Sequence, residues 1–360
     1  MKVLIACGGT GGHIFPGLSL YDALKAREGV ADILLVVDKR EISSFIVPEN
    51  YPHVYVCLVP LKFNFNLQGL TIVLKLVRGI LQSAALLLKF RPDVVVGFGG
   101  YASFFIVFFA GILGIKTLIH EPNVAPGRAN LILAYFTDKI SCGFGRTRDR
   151  FGRNSFKAEL TGNPLRPSLN RIEKKRACGF FGLQWDRFTI LVMGGSQGAH
   201  KINTVFFQAV SLLEEKSKFQ VIHLCGRQDE PFLKGAYGDS GVRAEVFPYL
   251  AKMEYAYSAA DMVISRSGAI SITEFAFFGL PAVFIPYPYV RAHQLENALL
   301  LLRNNAAAVI EEENLNPEIL KEKISQLFNN PALRSSMGKN LSKFSKPGAD
   351  KALAELALNV

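Results

Sequence analysis

At 360 residues, 49% of them hydrophobic and only 20% charged, the chain has apolar material for more than one core, which excludes disorder and makes two domains the natural expectation. A formal net charge of +11 points to anionic partners: a membrane surface, phosphorylated small molecules or nucleic acid, the last least favoured because no RNP sequence or zinc finger is present. The five cysteines, Cys7, Cys57, Cys142, Cys178 and Cys225, are scattered with no C-x-x-C pair, which argues against a disulfide framework or a zinc knuckle and for a reducing cytoplasm.

Lys2 to Ala6 predicts a first strand, too soon broken by glycine to be a signal peptide. It enters Gly8-Gly9-Thr10-Gly11-Gly12-His13, after which Pro16 and the periodic stretch Leu18 to Ala26 predict a helix. Glycines admit a ligand close to the backbone and a helix start supplies N–H donors for phosphate, although the spacing is not the G-x-G-x-x-G of NAD sites. His13 on this loop either faces the ligand or serves as a structural cap; the residues alone leave both open.

Asp32 to Val37 and Val54 to Leu58 predict two more strands, and Asn66 to Phe90 a helix. Lys75, Arg78, Gln82 and Lys89 share one stripe of that helix among Leu70, Val73, Leu74, Val77, Ile80, Leu81 and Leu88. Such a helix suits an anionic bilayer, or equally a core with one solvated basic face. Val94 to Ile115 carries no charge, but the turn Gly97-Phe98-Gly99-Gly100-Tyr101 splits it into a strand from Asp93 to Val96 and an apolar segment too short to span a membrane. Thr117 to Ile119 is the next strand. His120-Glu121-Pro122-Asn123 follows at its carboxyl end, the edge at which open α/β sheets bind ligands. Lys139 to Cys142 is a further strand, and Gly162-Asn163-Pro164-Leu165-Arg166 reads as a hinge, where Arg166 can reach a phosphate or lie on the surface.

The second half restarts the first. Phe188 to Met193 is an apolar strand entering Gly194-Gly195-Ser196-Gln197-Gly198-Ala199, with a helix from about Ile202. Strands at Val221 to Leu224, Ala244 to Phe247 and Met262 to Ser265 continue the pattern. After Ser267-Gly268 a helix runs to about Phe278, Gly279 ends it, and Ala282 to Ile285 is a buried strand. A helix starting on small residues is an anion seat, and Glu274 within it is placed either to accept from ribose hydroxyls or to be a solvated acid. Arg291-Ala292-His293-Gln294-Leu295-Glu296-Asn297 opens another helix, and Ala349 to Leu358 is a last, amphipathic one. The fold class expected is α/β, two Rossmann-like domains with parallel sheets facing across a cleft.

Taken together, G-G-T-G-G-H, G-F-G-G-Y, H-E-P-N, T-G-N-P-L-R, G-G-S-Q-G-A, S-G-A-I-S-I-T-E and H-Q-L-E-N-A, in that order and spacing, resemble the MurG family of bacterial glycosyltransferases over essentially the whole chain. That family adds N-acetylglucosamine to the lipid-linked muramyl-pentapeptide of peptidoglycan synthesis. The resemblance implies a GT-B fold with an acceptor and membrane-associating domain over residues 1–163, joined by a last helix at about 345–360, and a UDP-GlcNAc domain over 164–344. It implies donor contacts from Thr10, Gly11, Gly12, Asn123, Arg166, Ser196, Leu250 beside the uracil, Ala269, Ile270, Ser271, Ile272, Thr273 and Glu274 around diphosphate and ribose, and Gln294 on the sugar. Arg266 and Asn297 would support them. Gly11, Gly12, Gly99, Gly100 and Tyr101 would hold the acceptor diphosphate. Pro122 stands where the family usually has glutamine, and withdraws any side-chain hydrogen bond from that position.

The implied reaction is an inverting displacement at the anomeric carbon, transferring N-acetylglucosamine from UDP-GlcNAc to the C4 hydroxyl of undecaprenyl-diphosphate-MurNAc-pentapeptide. His13 is the candidate base, and Glu274 is taken with it as catalytic. With no D-x-D pair, no metal is expected, and no cofactor is implied. Lys75 and Arg78 would touch an anionic membrane at the cytoplasmic face of the inner membrane, with cell-wall and division machinery as further partners. Rivals are a GT-B transferase for another lipid, a UDP-GlcNAc 2-epimerase, and a non-catalytic UDP-sugar-binding scaffold.

Overall fold

The strand β1 (Lys2–Cys7) is buried from Val3 onward, and its side chains divide by pleat. Val3, Ile5 and Cys7 join one hydrophobic cluster with Leu18, Leu24 and the C-terminal residues Leu353 and Leu356. Leu4 and Ala6 join another on the opposite face, with Leu87, Ile106 and Val107. A strand covered on both faces has no polar side, which is why the sequence shows continuous apolar runs rather than alternation. The computed structural model describes residues 1–38, 47–56, 67–195, 198–288 and 293–360, with residues 67–76 by backbone alone.

Contacts divide the chain into Met1–Pro167 with Lys346–Val360, and Ser168–Ser345. The first unit's sheet adds β2 (Asp32–Asp38), β3 (His53–Val56), β4 (Val94–Gly97), β5 (Lys116–Glu121), β6 (Lys139–Cys142) and β7 (Ala158–Leu160), all parallel, in the order β3-β2-β1-β4-β5-β6-β7. The second contains β8 (Phe188–Met193), β9 (Phe219–Leu224), β10 (Arg243–Phe247), β11 (Met262–Ser265), β12 (Ala282–Phe284) and β13 (Ala308–Val309), also parallel, in the order β10-β9-β8-β11-β12-β13. Both sheets are doubly wound, so the expected α/β class, with a parallel Rossmann-like sheet in each of two units, is the one observed. The order reverses at β1/β4 and at β8/β11, the switch points where such sheets bind ligands. The two glycine loops of the first unit follow β1 and β4 there, and Gly194-Gly195 and the Ser267-Gly268 turn follow β8 and β11 in the second.

The first helix corrects an expectation. It runs over Gly11–Lys25 and begins on the glycine loop itself, with Pro16 inside it. Proline signalled a helix start to the sequence, but one missing N–H near the N-terminus breaks one bond and not the helix. Charge-free residues 94–115 form β4 and a 13-residue helix, Gly100–Ile112. Among the described residues no helix is long and apolar enough to cross a membrane. The Gly162–Arg166 segment is strapped to the first helix: Ser19 Oγ donates to the Leu165 carbonyl at 2.6 Å, and the Arg166 guanidinium lies 4.1 Å from the Phe15 ring centroid. Pro164 to Pro167 therefore group with the first unit.

Candidate active site

In the first unit the two glycine loops touch. A Cβ on Gly100 would lie 2.6 Å from Gly8 Cα, and one on Gly8 would lie 2.5 Å from Nδ1 of His13 and 3.0 Å from the Gly99 carbonyl. Gly99 and Gly100 also take φ of 87° and 84°, which side-chain-bearing residues rarely adopt. The His13 imidazole is half-buried in this glycine cradle, its Nδ1 3.2 Å from Thr10 Oγ1. Thr10 is the N-cap residue, yet its side chain makes no cap bond, and neither does Gly99 at the start of Gly100–Ile112. Both helix starts thus keep first-turn N–H groups for an anion. Tyr101, half-buried, follows directly.

The H-E-P-N motif is mostly internal scaffolding. Buried His120 has Nδ1 2.7 Å from Ser141 Oγ and Nε2 3.0 Å from Asn163 Oδ1. Burial lowers it to about 4, against the Asn163 bond that raises it, with His13 lowering it a little further; it is neutral at physiological pH. Glu121, 2% exposed, accepts from the Asn123 backbone and side-chain amides at 3.0 Å each, from the Gly127 backbone at 2.9 Å and from Asn130 Nδ2 at 2.8 Å. This carboxylate fixes the loop that presents half-buried Asn123. Sequence reasoning assigned it no role, and an acid beside an asparagine gives no local sign of such a hub. Pro122 contributes its carbonyl, which accepts from Asn163 Nδ2 at 3.2 Å.

In the second unit a cavity of about 490 Å³ lies at the β8/β11 switch point, lined by Gly195, Gly198, His200, Arg266, Gly268 and Ser271, with Gln294 and Glu312 at its wall. Two helices, His200–Ser211 and Ala269–Phe278, start on it from Ala199 and Gly268, neither with a side-chain cap. Gly279 ends the latter helix at φ 69°, as expected from the sequence. Of the predicted contacts, Ser271 lines the cavity, whereas Ile272 and Thr273 are buried and the Thr273 hydroxyl returns to the Ala269 carbonyl at 2.9 Å. Ala269 and Ile270 are buried too.

Glu274 is 1% exposed, and Oε2 accepts from the Tyr257 hydroxyl at 2.6 Å. The solvated acid is thereby excluded. Arg266 Nη1 donates to the Ile285 and Pro286 carbonyls at 3.1 Å each and pairs with Glu312, while its guanidinium covers Tyr287. Asn297 donates to the Ser267 carbonyl at 3.1 Å, Ser267 Oγ to the Gln294 carbonyl at 2.8 Å, and the Tyr287 backbone to Gln294 Oε1 at 3.0 Å. The Asn297 and Ser267 bonds tie the Gln294 helix to the Gly268 turn, while Arg266 braces the chain after β12 against Glu312. Leu250, half-buried after β10, is not in the cavity lining. Thr10, Gly11, Gly12, Asn123 and Arg166 belong to the first unit. Ser196 lies outside the described residues, as does the Lys75 side chain.

The helix Leu67–Phe90 exposes Val77, Arg78, Leu81, Leu88 and Lys89. It packs on Gly100–Ile112, which packs on Arg128–Leu133, and there Ile112, Leu113, Ile132, Tyr135 and Phe136 are exposed as well. These side chains make an exposed surface of the first unit that is both apolar and basic.

The glycosyltransferase family 28 N-terminal domain matches residues 3–142, and the family 28 C-terminal domain matches residues 189–353. The UDP-N-acetylglucosamine–N-acetylmuramyl-(pentapeptide) pyrophosphoryl-undecaprenol N-acetylglucosamine transferase of Thermodesulfovibrio yellowstonii is 36% identical over 363 residues, covering 99% of this chain and 98% of its own. Its namesake in Syntrophus aciditrophicus is 37% identical over 340 residues, covering 94% and 92%. The crystal structure of Acinetobacter baumannii MurG matches with a TM-score of 0.77 at 25% identity, covering 100% of this chain and 99% of that one. The UDP-GlcNAc 2-epimerase of Neisseria meningitidis, with a TM-score of 0.72 at 15% identity and full coverage of both chains, shares the fold. By its two domains and its full-length relatives, this chain belongs to glycosyltransferase family 28, among the MurG-type N-acetylglucosamine transferases.

Proposed function

We propose that the protein transfers N-acetylglucosamine from UDP-GlcNAc to the C4 hydroxyl of a polyprenyl-diphosphate-linked MurNAc-pentapeptide, releasing UDP with inversion at the anomeric carbon. The observation that carries this reading is that each unit has two helix starts without side-chain caps at its switch point. Each pair is a diphosphate seat, and this reaction brings together two diphosphates, one on the donor and one on the acceptor lipid. An epimerase handles one.

The donor's diphosphate is assigned to the cavity at Gly195, Gly198 and Gly268, its ribose to Glu274 and its sugar to Gln294. There the helix N-termini stabilise the charge that departing UDP gains, which is the task a metal performs in other transferases. The acceptor's diphosphate is assigned to Gly11, Gly12, Gly99, Gly100 and Tyr101. His13 takes the proton of the attacking hydroxyl, since an imidazole titrates near working pH. The exposed apolar and basic surface around Val77, Arg78 and Leu81 is assigned to the membrane that carries the acceptor, at its cytoplasmic face; cell-wall and division proteins are the partners such a location offers.

The test is transfer of labelled N-acetylglucosamine to a short-chain lipid-diphosphate-muramyl-pentapeptide with EDTA present. Labelled disaccharide lipid is the expected product. Donor binding without transfer would sink the acceptor assignment, and conversion of UDP-GlcNAc alone would make the protein an epimerase.

A further inference from the structure

A hydrogen-bonded chain joins the second unit's cavity to its core, and none of the assignments above uses it. The Tyr237 hydroxyl lies 3.0 Å from Nδ1 of His223, and Nε2 of His223 lies 3.1 Å from Oδ1 of Asn203. Asn203 Nδ2 donates to the Cys225 carbonyl at 2.8 Å and to Oδ2 of Asp229 at 2.7 Å. Asp229 Oδ1 then meets Nδ1 of His200 at 2.9 Å.

Every direction in this chain is forced. Because the Asn203 nitrogen donates, its oxygen accepts; His223 therefore carries its proton on Nε2 and takes that of Tyr237 on Nδ1. Burial lowers His223 to about 3, with Asp229 opposing, and pushes the Tyr237 hydroxyl well up, so neither changes charge near neutrality. A carboxylate only accepts, so His200 donates from Nδ1 and its Nε2 turns away from Asp229. The His200 side chain is 74% exposed against 9% for Asp229. It opens the helix His200–Ser211 and lines the cavity beside Gly195, Gly198 and Lys201.

We propose that His200 is a proton-linked contact for the donor diphosphate: protonated in the complex, its Nε2 donates to a phosphate oxygen, and Asp229, held by Asn203, is its positioning residue. This rests on the donor-site assignment above. Of the charged groups nearby, Glu312 is paired with Arg266 and gives its carbonyl to Lys201, and Glu230 is paired with Lys234. Asp229 thus offsets the imidazolium. A ligand that selects the protonated ring takes up a proton on binding, so affinity falls as pH rises through the histidine range.

The experiment is calorimetric titration of the full-length protein with UDP-GlcNAc, in buffers of different ionisation enthalpy, between about pH 6 and pH 8.5, a window set by the histidine range. UDP-GlcNAc is the probe because free UDP has a terminal phosphate that titrates near pH 6 by itself. The wild type is expected to take up protons and to bind about three- to tenfold more tightly at the acid end. His200→Gln is expected to lose both the uptake and the pH dependence, and Asp229→Asn to move the midpoint to lower pH. Should Asp229→Asn be unstable, the exposed His200 position decides the matter. Wild-type pH dependence retained in His200→Gln would overturn this inference alone; no binding of UDP-GlcNAc by the wild type would overturn the donor site and this inference with it.

Discussion

The Thr10 hydroxyl oxygen lies 3.2 Å from Nδ1 of His13, in the place of the cap bond it does not make. When it accepts the Nδ1 proton, the basic lone pair sits on Nε2, the atom that would lie 3.2 Å from a Cβ on Gly99. His13→Ala is expected to lower turnover by about 10²- to 10⁴-fold with UDP-GlcNAc affinity nearly intact. Thr10→Val should cost about two- to tenfold in turnover, and Thr10→Ser should restore most of it. Loss of UDP-GlcNAc binding in His13→Ala would make the residue structural.

Gly12 and Gly100 separate ligand room from backbone strain. A Cβ on Gly12 meets nothing within 4 Å, whereas one on Gly100 meets Gly8 Cα at 2.6 Å with φ at 84°. Gly100→Ala should destabilise the protein by about 1–3 kcal/mol, seen as a lower melting temperature. Gly12→Ala should melt no earlier than wild type yet raise the KM for the lipid acceptor, because its methyl occupies the ligand's space. An unchanged KM would take Gly12 out of the acceptor seat.

The Glu274–Tyr257 bond separates ribose recognition from core stability. Tyr257→Phe removes a 2.6 Å hydrogen bond to a buried carboxylate and should cost about 1–3 kcal/mol in denaturant unfolding. Glu274→Ala should weaken UDP binding as well, by about tenfold for a lost charge-assisted bond. Equal UDP affinity in wild type and Glu274→Ala would remove the residue from the ribose.

Acid should unfold the protein in a window set by two buried imidazoles. His120 and His223 titrate at about 4 and about 3 in the fold, both lowered chiefly by burial, against 6.5 for an ordinary histidine. Below 6.5 the unfolded chain binds protons that the folded chain refuses, so stability is full above that pH and is lost as pH falls toward 4 for His120 and 3 for His223. The slope is about 1.4 kcal/mol per pH unit per group. Urea midpoints should therefore drop from neutral to mildly acidic pH, and His120→Gln should flatten the profile. A midpoint constant across that range would contradict neutral burial.

The basic and apolar surface of the first unit should bind lipid. Leu81→Asp and Arg78→Glu are expected to reduce co-sedimentation with vesicles containing anionic lipid, Arg78→Glu the more so at low salt. Neither should change transfer to a soluble short-chain acceptor. Undiminished sedimentation of the double variant would remove this face from the membrane.

Much of this architecture was legible in the chain because doubly wound sheets repeat one local signal. Apolar strands fixed by burial on both faces gave β6 and β8 with their observed bounds and β11 to within one residue, and the turn through Ser267 and Gly268 gave Ala269–Phe278 with Gly279 after it. The strand at Ala308–Val309 escaped notice, since two residues at a sheet edge carry no periodicity. Pro16 misplaced the first helix start because a proline's local cost says nothing of what surrounding packing tolerates.

What the sequence by itself determined is the order of strand, glycine turn and helix and the residue types at those turns, which local backbone chemistry dictates. Only the tertiary structure decided which side chains line a cavity and which are internal struts. Glu121 and Asn123 are two residues apart, yet burial makes the first an anchor for the second. His200 and Asp229 are twenty-nine apart and form a pair because β8 and β9 lie side by side in the sheet. The physical reason is range: hydrogen bonds along the backbone are fixed by neighbours in sequence, whereas burial and side-chain pairing are fixed by neighbours in space.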